Sequence, residues 1–236
     1  MALRTGDAAA GGLGLRVLSG LVLAPVALAL AYAGGLAFNL LIVAAAAVMA
    51  YECRRLCERG GAAARPPAGR RLWAAGGVVY IAVPCIAMVW LRSDEALGRE
   101  TILWLLAVVW ANDIGAYFVG RGVGGPRLAP RISPNKTWSG LAAGIVCTAA
   151  VGFATATVLD GPGVLHLVVL SAALALVAHA GDLWESMVKR RFNAKDSGRL
   201  IPGHGGLLDR LDGLMAAAPA VAAATLLSGE SVLAWR

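Results

Sequence analysis

The sequence has little charge and few aromatic side chains. Of its 236 residues, 15% are charged, 6% are aromatic and 58% are apolar, whereas a soluble domain carries about 25% charged and about 45–50% apolar residues. This composition excludes a disordered chain and a large soluble catalytic domain. The four cysteines include no CxxC pair and no adjacent histidine, so they make a poor zinc site. We interpret them as small packing residues.

The apolar residues are concentrated in blocks of about 18–22, the length that a helix needs to cross a bilayer. We therefore predict an all-α polytopic membrane protein with about seven spans, six to nine being compatible with the pattern. The predicted spans are about 15–32, 36–51, 72–91, 101–119, 138–159, 164–180 and 207–227. The sixth is expected to continue as a helix toward Arg191. The first is also compatible with a cleaved signal peptide, because Arg16 precedes an apolar stretch that ends in Ala-Tyr-Ala.

The chain divides into an N-terminal helical region, residues 1–111, and a C-terminal region, residues 112–236, that carries two unusual polar segments. The N-terminal region includes a basic loop, residues 52–71, which is expected to lie on anionic headgroups. Alanine and glycine are frequent in the spans and favour close helix packing, which is compatible with a homodimer.

The Lys and Arg residues indicate the orientation of the spans. With the N-terminus cytoplasmic, 18 of the 21 fall in segments on the cytoplasmic side. This is a strong positive-inside bias, and it predicts an integral protein of a bacterial-type inner membrane. The net charge of +7 follows from this topology, so no nucleic-acid partner is needed to explain it.

Carboxylates stand at the ends of the apolar helices in the two polar segments: Asp113, Asp182, Asp209 and Asp212. A carboxylate at such a position normally faces a polar cavity, a partner or a metal. Asp209 and Asp212 are three residues apart and share a helix face. Acids without Cys or His ligands beside them suit a hard cation such as Mg²⁺. The alternative is ordinary ion pairing, which suits Asp196 beside Lys195 best.

Basic residues on the same predicted side complement these acids: Lys136, Lys189, Lys195, Arg199 and Arg210. Carboxylates that hold Mg²⁺ and cations that neutralise phosphate oxygens are together what a polyphosphate site requires. Gly203, Gly205 and Gly206 would let backbone N–H groups approach a phosphate, at the N-terminus of the next helix. His204 lies among these glycines, where a histidine is more often a hydrogen-bonding residue than a general base.

The motifs resemble the signature of phosphatidate cytidylyltransferases. The main motif is Ser186-x-x-Lys189-Arg190-x(4)-Lys195-Asp196-x(5)-Pro202-Gly203-His204-Gly205-Gly206-x(2)-Asp209-Arg210-x-Asp212. Two upstream elements are also similar to that family, Asp113-x-Gly-Ala-Tyr117 and Ser133-Pro134-x-Lys136-Thr137. The chain is short for the family, which leaves its number of N-terminal spans open.

The resemblance implies a reaction between CTP and phosphatidate that gives CDP-diacylglycerol and pyrophosphate. The phosphatidate is held in the lipid bilayer by its acyl chains. Mg²⁺ is expected as cofactor, with a second metal or a monovalent cation left open. Asp182, Asp209 and Asp212 are the expected metal ligands, and Asp113 is either a further ligand or a helix-end partner for a cation. The expected catalytic residues are Asp182, Lys195, Asp209, Arg210 and Asp212. The expected substrate-binding residues are Ser133, Lys136, Thr137, Ser186, Lys189, Lys195, Gly203, His204, Gly205, Gly206 and Arg210.

Two other functions share some of these features. A CTP-dependent lipid kinase acting on a polyprenol or phytol would need the same membrane and nucleotide sites, but would release CDP. A secondary transporter would predict internal repeats and acids near the bilayer midplane. The sequence shows no convincing repeat, and its acids cluster at one predicted boundary.

Overall fold

The computed structural model describes residues 6–59, 67–159, 163–198 and 205–235. Seven helices and one short β-hairpin occur in this part of the chain. In chain order they are α1 (Gly6–Ala33), α2 (Gly35–Arg59), α3 (Pro67–Arg92), α4 (Gly98–Gly122), β1 (Arg127–Ala129), β2 (Ser133–Thr137), α5 (Trp138–Leu159), α6 (Val164–Arg191) and α7 (Leu208–Ser228).

Six of the helices, α2 to α7, are long and apolar enough to span a membrane, and α1 contributes a shorter apolar segment, Gly20–Ala33. The predicted helical membrane protein is therefore confirmed. The predicted spans agree closely with these helices because hydrophobic length is a local property of the sequence. The expected continuation of the sixth span is also confirmed, since α6 ends at Arg191.

The β-hairpin was not predicted and is the one addition to the all-α expectation. β1 pairs antiparallel with β2, Arg127 opposite Thr137 and Ala129 opposite Ser133. The short polar segment between α4 and α5 has no apolar periodicity, so its sequence does not predict strands. They are recognised only from the backbone pairing in the structure. The hairpin fixes β2 against α4 and α5, and β2 carries three of the predicted substrate-binding residues.

A stripe of small residues lets α5 approach its neighbours closely. Its buried residues recur every four positions: Gly140, Gly144, Thr148, Gly152 and Ala156. A Cβ at Gly152 would stand 2.5 Å from the carbonyl oxygen of Leu167 on α6, and one at Gly140 would stand 2.8 Å from that of Ala116 on α4. Close backbone approach through small residues is the usual means of packing helices in lipid.

The core forms around α4, which contacts α1, α3, α5, α6 and α7. Ile102, Leu105 and Val108 on α4 are fully buried, and the indole N–H of Trp104 donates to Ser171 Oγ at 3.1 Å. Large apolar side chains such as Phe118, Phe153 and Val158 are exposed on the outside of the bundle. Their exposure fits a surface that faces lipid rather than water.

At one end of the bundle, Arg92 connects α3 to α1. Its guanidinium donates to the carbonyl oxygens of Ala31 at 2.8 Å and Tyr32 at 3.0 Å. A cation at a helix C-terminus satisfies unpaired carbonyls and interacts favourably with the helix dipole. Gly34, which separates α1 from α2, has φ +68° and lies against the same guanidinium. This contact secures the end of the bundle opposite to the predicted site.

The α5–α6 contact generates a stability prediction. Gly152→Ala should lower the free energy of unfolding by about 1–3 kcal/mol, because the added methyl group has to displace the Leu167 backbone. Gly76→Ala is the matched control, since a Cβ at that helical glycine meets no atom within 4 Å. The melting temperature of the purified protein in detergent should fall by several degrees for the first variant only. Equal melting temperatures for the two variants would contradict the packing.

Candidate active site

Both polar segments of the C-terminal region lie at one end of the helix bundle, here called the motif end. It contains the C-terminal ends of α2, α4 and α6, the β-hairpin, and the N-terminal ends of α5 and α7. Contacts across it join β2 to α6, α6 to α7, and α2 to α7. The sequence places these segments about 40 residues apart, so only the packing of the helices brings them together.

An ion pair between Lys136 and Asp182 connects the two polar segments. Lys136 Nζ on β2 donates to Asp182 Oδ2 on α6. Asp182 is only 8% exposed, and its other oxygen, Oδ1, is buried without a hydrogen-bond partner among the described residues. Gly213 on α7 comes so close that a Cβ there would lie 3.2 Å from this oxygen. A buried carboxylate oxygen without a partner is costly and therefore indicates a binding position.

Two further carboxylates lie near this pair. Asp212 on α7 interacts electrostatically with Asp182, Glu185 and Lys136, and the N–H of Gly213 donates to its Oδ1 at 3.0 Å. Asp113 on α4 interacts with Asp182 and Lys136 and accepts a 3.3 Å hydrogen bond from Asn112. The structure thus brings three of the four predicted carboxylates around one lysine.

Asp209 belongs to a second network. It lies one turn before Asp212 on α7, and its partner Lys189 lies nearer the C-terminal end of α6 than Asp182 does. Lys189 Nζ lies 2.7 Å from Asp209 Oδ1 and 3.2 Å from Glu185 Oε1. Glu185 is 2% exposed, so its charge depends on the neighbouring lysine. The other oxygen of Asp209 accepts hydrogen bonds from Ser197 N at 2.9 Å, Ser197 Oγ at 3.0 Å and Gly206 N at 3.1 Å. Asp209 therefore holds both ends of the loop between α6 and α7.

A second carboxylate, Glu52 on α2, completes the hydrogen bonds at the start of α7. It accepts from Leu207 N at 3.1 Å and Leu208 N at 3.0 Å, and Ser197 Oγ lies 3.4 Å from it. The sequence predicted an anion at this helix N-terminus. In the structure the anions there are the protein's own carboxylates, those of Glu52 and Asp209.

Thr137 and Ser139 shape the start of α5. Thr137 is buried, and its Oγ1 accepts a hydrogen bond from Gly140 N at 3.1 Å, as a helix N-cap residue does. Ser139 Oγ donates to the carbonyl oxygen of Gly124. These hydrogen bonds fix the turn that follows Lys136. Thr137 therefore helps to position the Lys136 side chain next to Asp182.

The remaining predicted residues lie around the rim of the motif end. Ser133 and Ser186 are half-buried, Lys195 and Arg210 are exposed, and Arg210 interacts electrostatically with Asp113. Gly205 has φ +85°, and Gly206 is packed tightly against Ser197 and Glu52. Gly203, His204 and Arg199 lie outside the described residues. The substrate and catalytic roles assigned to all these residues stay predictions.

Three residues near the site were not predicted as functional. Glu52 could have been found as an acid within an apolar helix, but its position at the end of a span suggested an ordinary loop. Tyr80 on α3 has a buried hydroxyl without a hydrogen-bond partner among the described residues, close to Asp182, Glu185 and Asp212. Asn112, 1% exposed, also has an unpartnered Oδ1 within the described chain. Single Tyr and Asn residues in apolar runs carry no distinctive sequence signal.

The donor atoms at the motif end suit a hard cation. The carboxylates near Asp182 offer oxygen ligands, and Asp182 Oδ1 has no hydrogen-bond partner within the described chain. No group of three or more His, Cys, Asp or Glu residues in residues 6–59, 67–159, 163–198 and 205–235 is arranged as a ready cation site. The predicted ligands Asp182 and Asp212 are neighbours, whereas Asp209 is engaged by Lys189 and Ser197. The metal role of all three stays a prediction.

The sequence of this chain is similar to those of known proteins. A family model described as the cytidylyltransferase family matches residues 63–228. The chain is 53% identical to a phosphatidate cytidylyltransferase of Brucella suis over 148 residues, 63% of this chain and 55% of that protein. It is 42% identical to that of Mycobacterium leprae over 166 residues, 68% of this chain and 53% of that protein.

The chain spans about half the length of these curated relatives. The family model covers both polar segments, the hairpin and helices α4 to α7. On this match the chain belongs to the cytidylyltransferase family.

Proposed function

We propose that this protein transfers the cytidylyl group of CTP to phosphatidate, giving CDP-diacylglycerol and pyrophosphate for phospholipid biosynthesis. The observation that carries the proposal is the Lys136–Asp182 pair, which joins the two motif segments and leaves a buried carboxylate oxygen without a partner in the described chain. The relatives from Brucella suis and Mycobacterium leprae are phosphatidate cytidylyltransferases, which supports the same activity.

The reaction needs positioning and charge neutralisation more than a protein nucleophile. A phosphate oxygen of phosphatidate attacks the α-phosphorus of CTP, a new P–O bond forms, and the bond to the β-phosphate oxygen breaks to release pyrophosphate. Phosphatidate is ionised at neutral pH, so no general base has to remove a proton. Fixed cations stabilise the charge that builds up on the phosphate oxygens.

The basic residues divide between two depths. Lys136 and Lys189 are mostly buried, with 24% and 12% of their side chains exposed, and are held by carboxylates. They can keep a fixed position as the triphosphate binds. Lys195 and Arg210 are exposed and are placed to meet phosphate groups as they arrive. We assign to these four basic residues the contacts with the phosphates of CTP and with the phosphatidate headgroup.

Mg²⁺ fits the oxygen donors of this site, and Asp182 and Asp212 would hold it. When bound, it would neutralise phosphate oxygens of the nucleotide. Asp209 contributes differently, because it accepts hydrogen bonds from Ser197 N and Gly206 N and fixes Lys189. Tyr80, whose hydroxyl lies near the same acids, closes the site on the α3 side.

We assign the site to the cytoplasmic boundary of an inner membrane. The motif end holds basic residues that contribute to the positive-inside bias, among them Lys136, Lys189 and Arg210. The acyl chains of phosphatidate stay in the bilayer while CTP arrives from the cytosol. The acids gather at one end of the bundle. A secondary transporter would instead place them near the midplane.

Substitution at Asp182 provides a test of the site. Asp182→Asn should lower cytidylyl transfer by about 10²–10³-fold, the cost of removing one group that stabilises developing charge, because it discharges the partner of Lys136. Turnover is measured with purified protein, CTP, phosphatidate and Mg²⁺ in detergent micelles. Asp94→Asn, the same change at an exposed acid at the opposite end of the bundle, should keep full activity. More than a tenth of the activity in a folded Asp182→Asn protein would remove this carboxylate from the site.

The fate of each phosphate identifies the reaction. With CTP labelled in the α-phosphate, label should enter the lipid, and with CTP labelled in the γ-phosphate it should appear in pyrophosphate. The two products should form in equal amounts. Transfer of the γ-label to a lipid alcohol would instead identify a CTP-dependent lipid kinase. If neither label leaves CTP in the presence of phosphatidate and Mg²⁺, the proposed activity is wrong.

A further inference from the structure

Glu52 lies at the end of α2 but forms its hydrogen bonds with the loop and helix that carry the main motif. It precedes the residues matched by the family model, 63–228. Its side chain is 2% exposed. Burying a carboxylate so deeply is costly unless donors satisfy it, and here the donors are Leu207 N, Leu208 N and Ser197 Oγ.

Glu52 and Asp209 divide the N–H groups at the start of α7 between them. Gly206 N donates to Asp209, and the next two N–H groups donate to Glu52. The first N–H groups of a helix have no partner within the helix and carry its positive dipole end. Two carboxylates, one local and one from a helix 155 residues earlier, thus satisfy three successive donors.

Gly198 and Gly206 pack closely against the Glu52 carboxylate. A Cβ at Gly198 would overlap the Glu52 carboxylate, and one at Gly206 would lie 2.9 Å from Glu52 Oε2 and 2.8 Å from Gly198 N. Ser197 Oγ is shared, 3.0 Å from Asp209 and 3.4 Å from Glu52. The two glycines and the serine therefore form a close-fitting receptacle for this side chain.

We propose that Glu52 is a positioning residue for cytidylyl transfer: through Ser197, Leu207 and Leu208 it ties the chain after α6 and the start of α7 to α2. Through this lock it sets where Asp209 and Asp212 stand relative to Asp182 and Lys189. The N-terminal helices thereby contribute to a site whose recognisable motifs all lie after residue 111. This inference rests on the proposed function only for its effect on catalysis, because the lock itself is a structural arrangement.

Glu52→Gln is the sharpest test, since it keeps the size of the side chain and removes its charge and one acceptor. Hydrogen exchange, followed by mass spectrometry, should accelerate at least tenfold in peptides covering residues 205–210 and stay unchanged in α4 and α5. In the same protein kcat should fall about tenfold or more, with the KM for CTP changed less than threefold. Glu58→Gln is the matched control on the same helix, because Glu58 is exposed and its ion pair is the local one with Arg54, four residues away. It should change neither quantity.

Ser197→Ala supplies a second variant should Glu52→Gln fail to fold. It removes the hydroxyl that both carboxylates share, so exchange should accelerate in the same peptides and kcat should fall in the same direction by a smaller factor. Where both variants fold, their effects on kcat should be less than multiplicative in the double variant, as expected for groups in one network.

The possible outcomes separate the lock from the proposed reaction. Local exchange that rises in Glu52→Gln, in a protein that shows no cytidylyl transfer even as wild type, supports the lock and contradicts the function. Unchanged exchange and unchanged kcat would overturn the positioning role. A uniform loss of melting temperature and of protection in all helices, with normal kcat in the folded fraction, would also overturn it, because Glu52 would then serve only general stability.

Discussion

The buried carboxylates at the motif end depend on the lysines and backbone N–H groups beside them. Removing an ionised carboxylate from water costs several kcal/mol in order of magnitude, and a partner with good geometry is needed to offset it. Asp182 depends on Lys136, and Glu185 and Asp209 depend on Lys189. The Lys136–Asp182 and Lys189–Asp209 pairs each join different elements, so the requirement for pairing also fixes β2, α6 and α7 relative to one another. The remaining features of the site follow from this constraint.

Glycine makes these pairs geometrically accessible. Helices α6 and α7 approach so closely at Gly181 that a Cβ there would lie 2.8 Å from the carbonyl oxygen of Asp212. Gly213 lies against Asp182 Oδ1 in the same way. In lipid, where apolar burial does not drive helices together, small residues permit the packing that brings polar groups into contact. The stripe on α5 and the close contact of α6 with α7 therefore serve both the fold and the site.

The hydrogen-bond networks around Asp182 and Asp209 indicate that the two carboxylates have different roles. Asp182 Oδ1 has no hydrogen-bond partner in the described chain, so this oxygen can bind a ligand. Both oxygens of Asp209 are engaged, by Lys189 on one side and by Ser197 and Gly206 on the other. Carboxylates of one motif, such as Asp209 and Asp212, which are three residues apart, can therefore differ in role because their donors differ.

The sequence by itself determined the number of apolar helices to within one, the extension of α6 to Arg191, and the residues that make up both polar segments. These properties are local: a run of apolar residues long enough to cross a bilayer forms a helix almost regardless of its neighbours. The composition of the motifs was sufficient to indicate phosphate and metal chemistry, and to indicate the family that the comparisons then showed.

Only the tertiary structure decided which acid pairs with which base. Lys136 and Asp182 are 46 residues apart, and nothing in their spacing distinguishes this pair from Lys136 with Asp209. Only the structure showed the hairpin that aims Lys136, the buried hydroxyl of Tyr80, and the capture of the α7 N-terminus by Glu52. The physical reason is that ion pairs and helix caps between distant elements depend on how helices pack, and packing is set by the whole bundle rather than by any one segment of it.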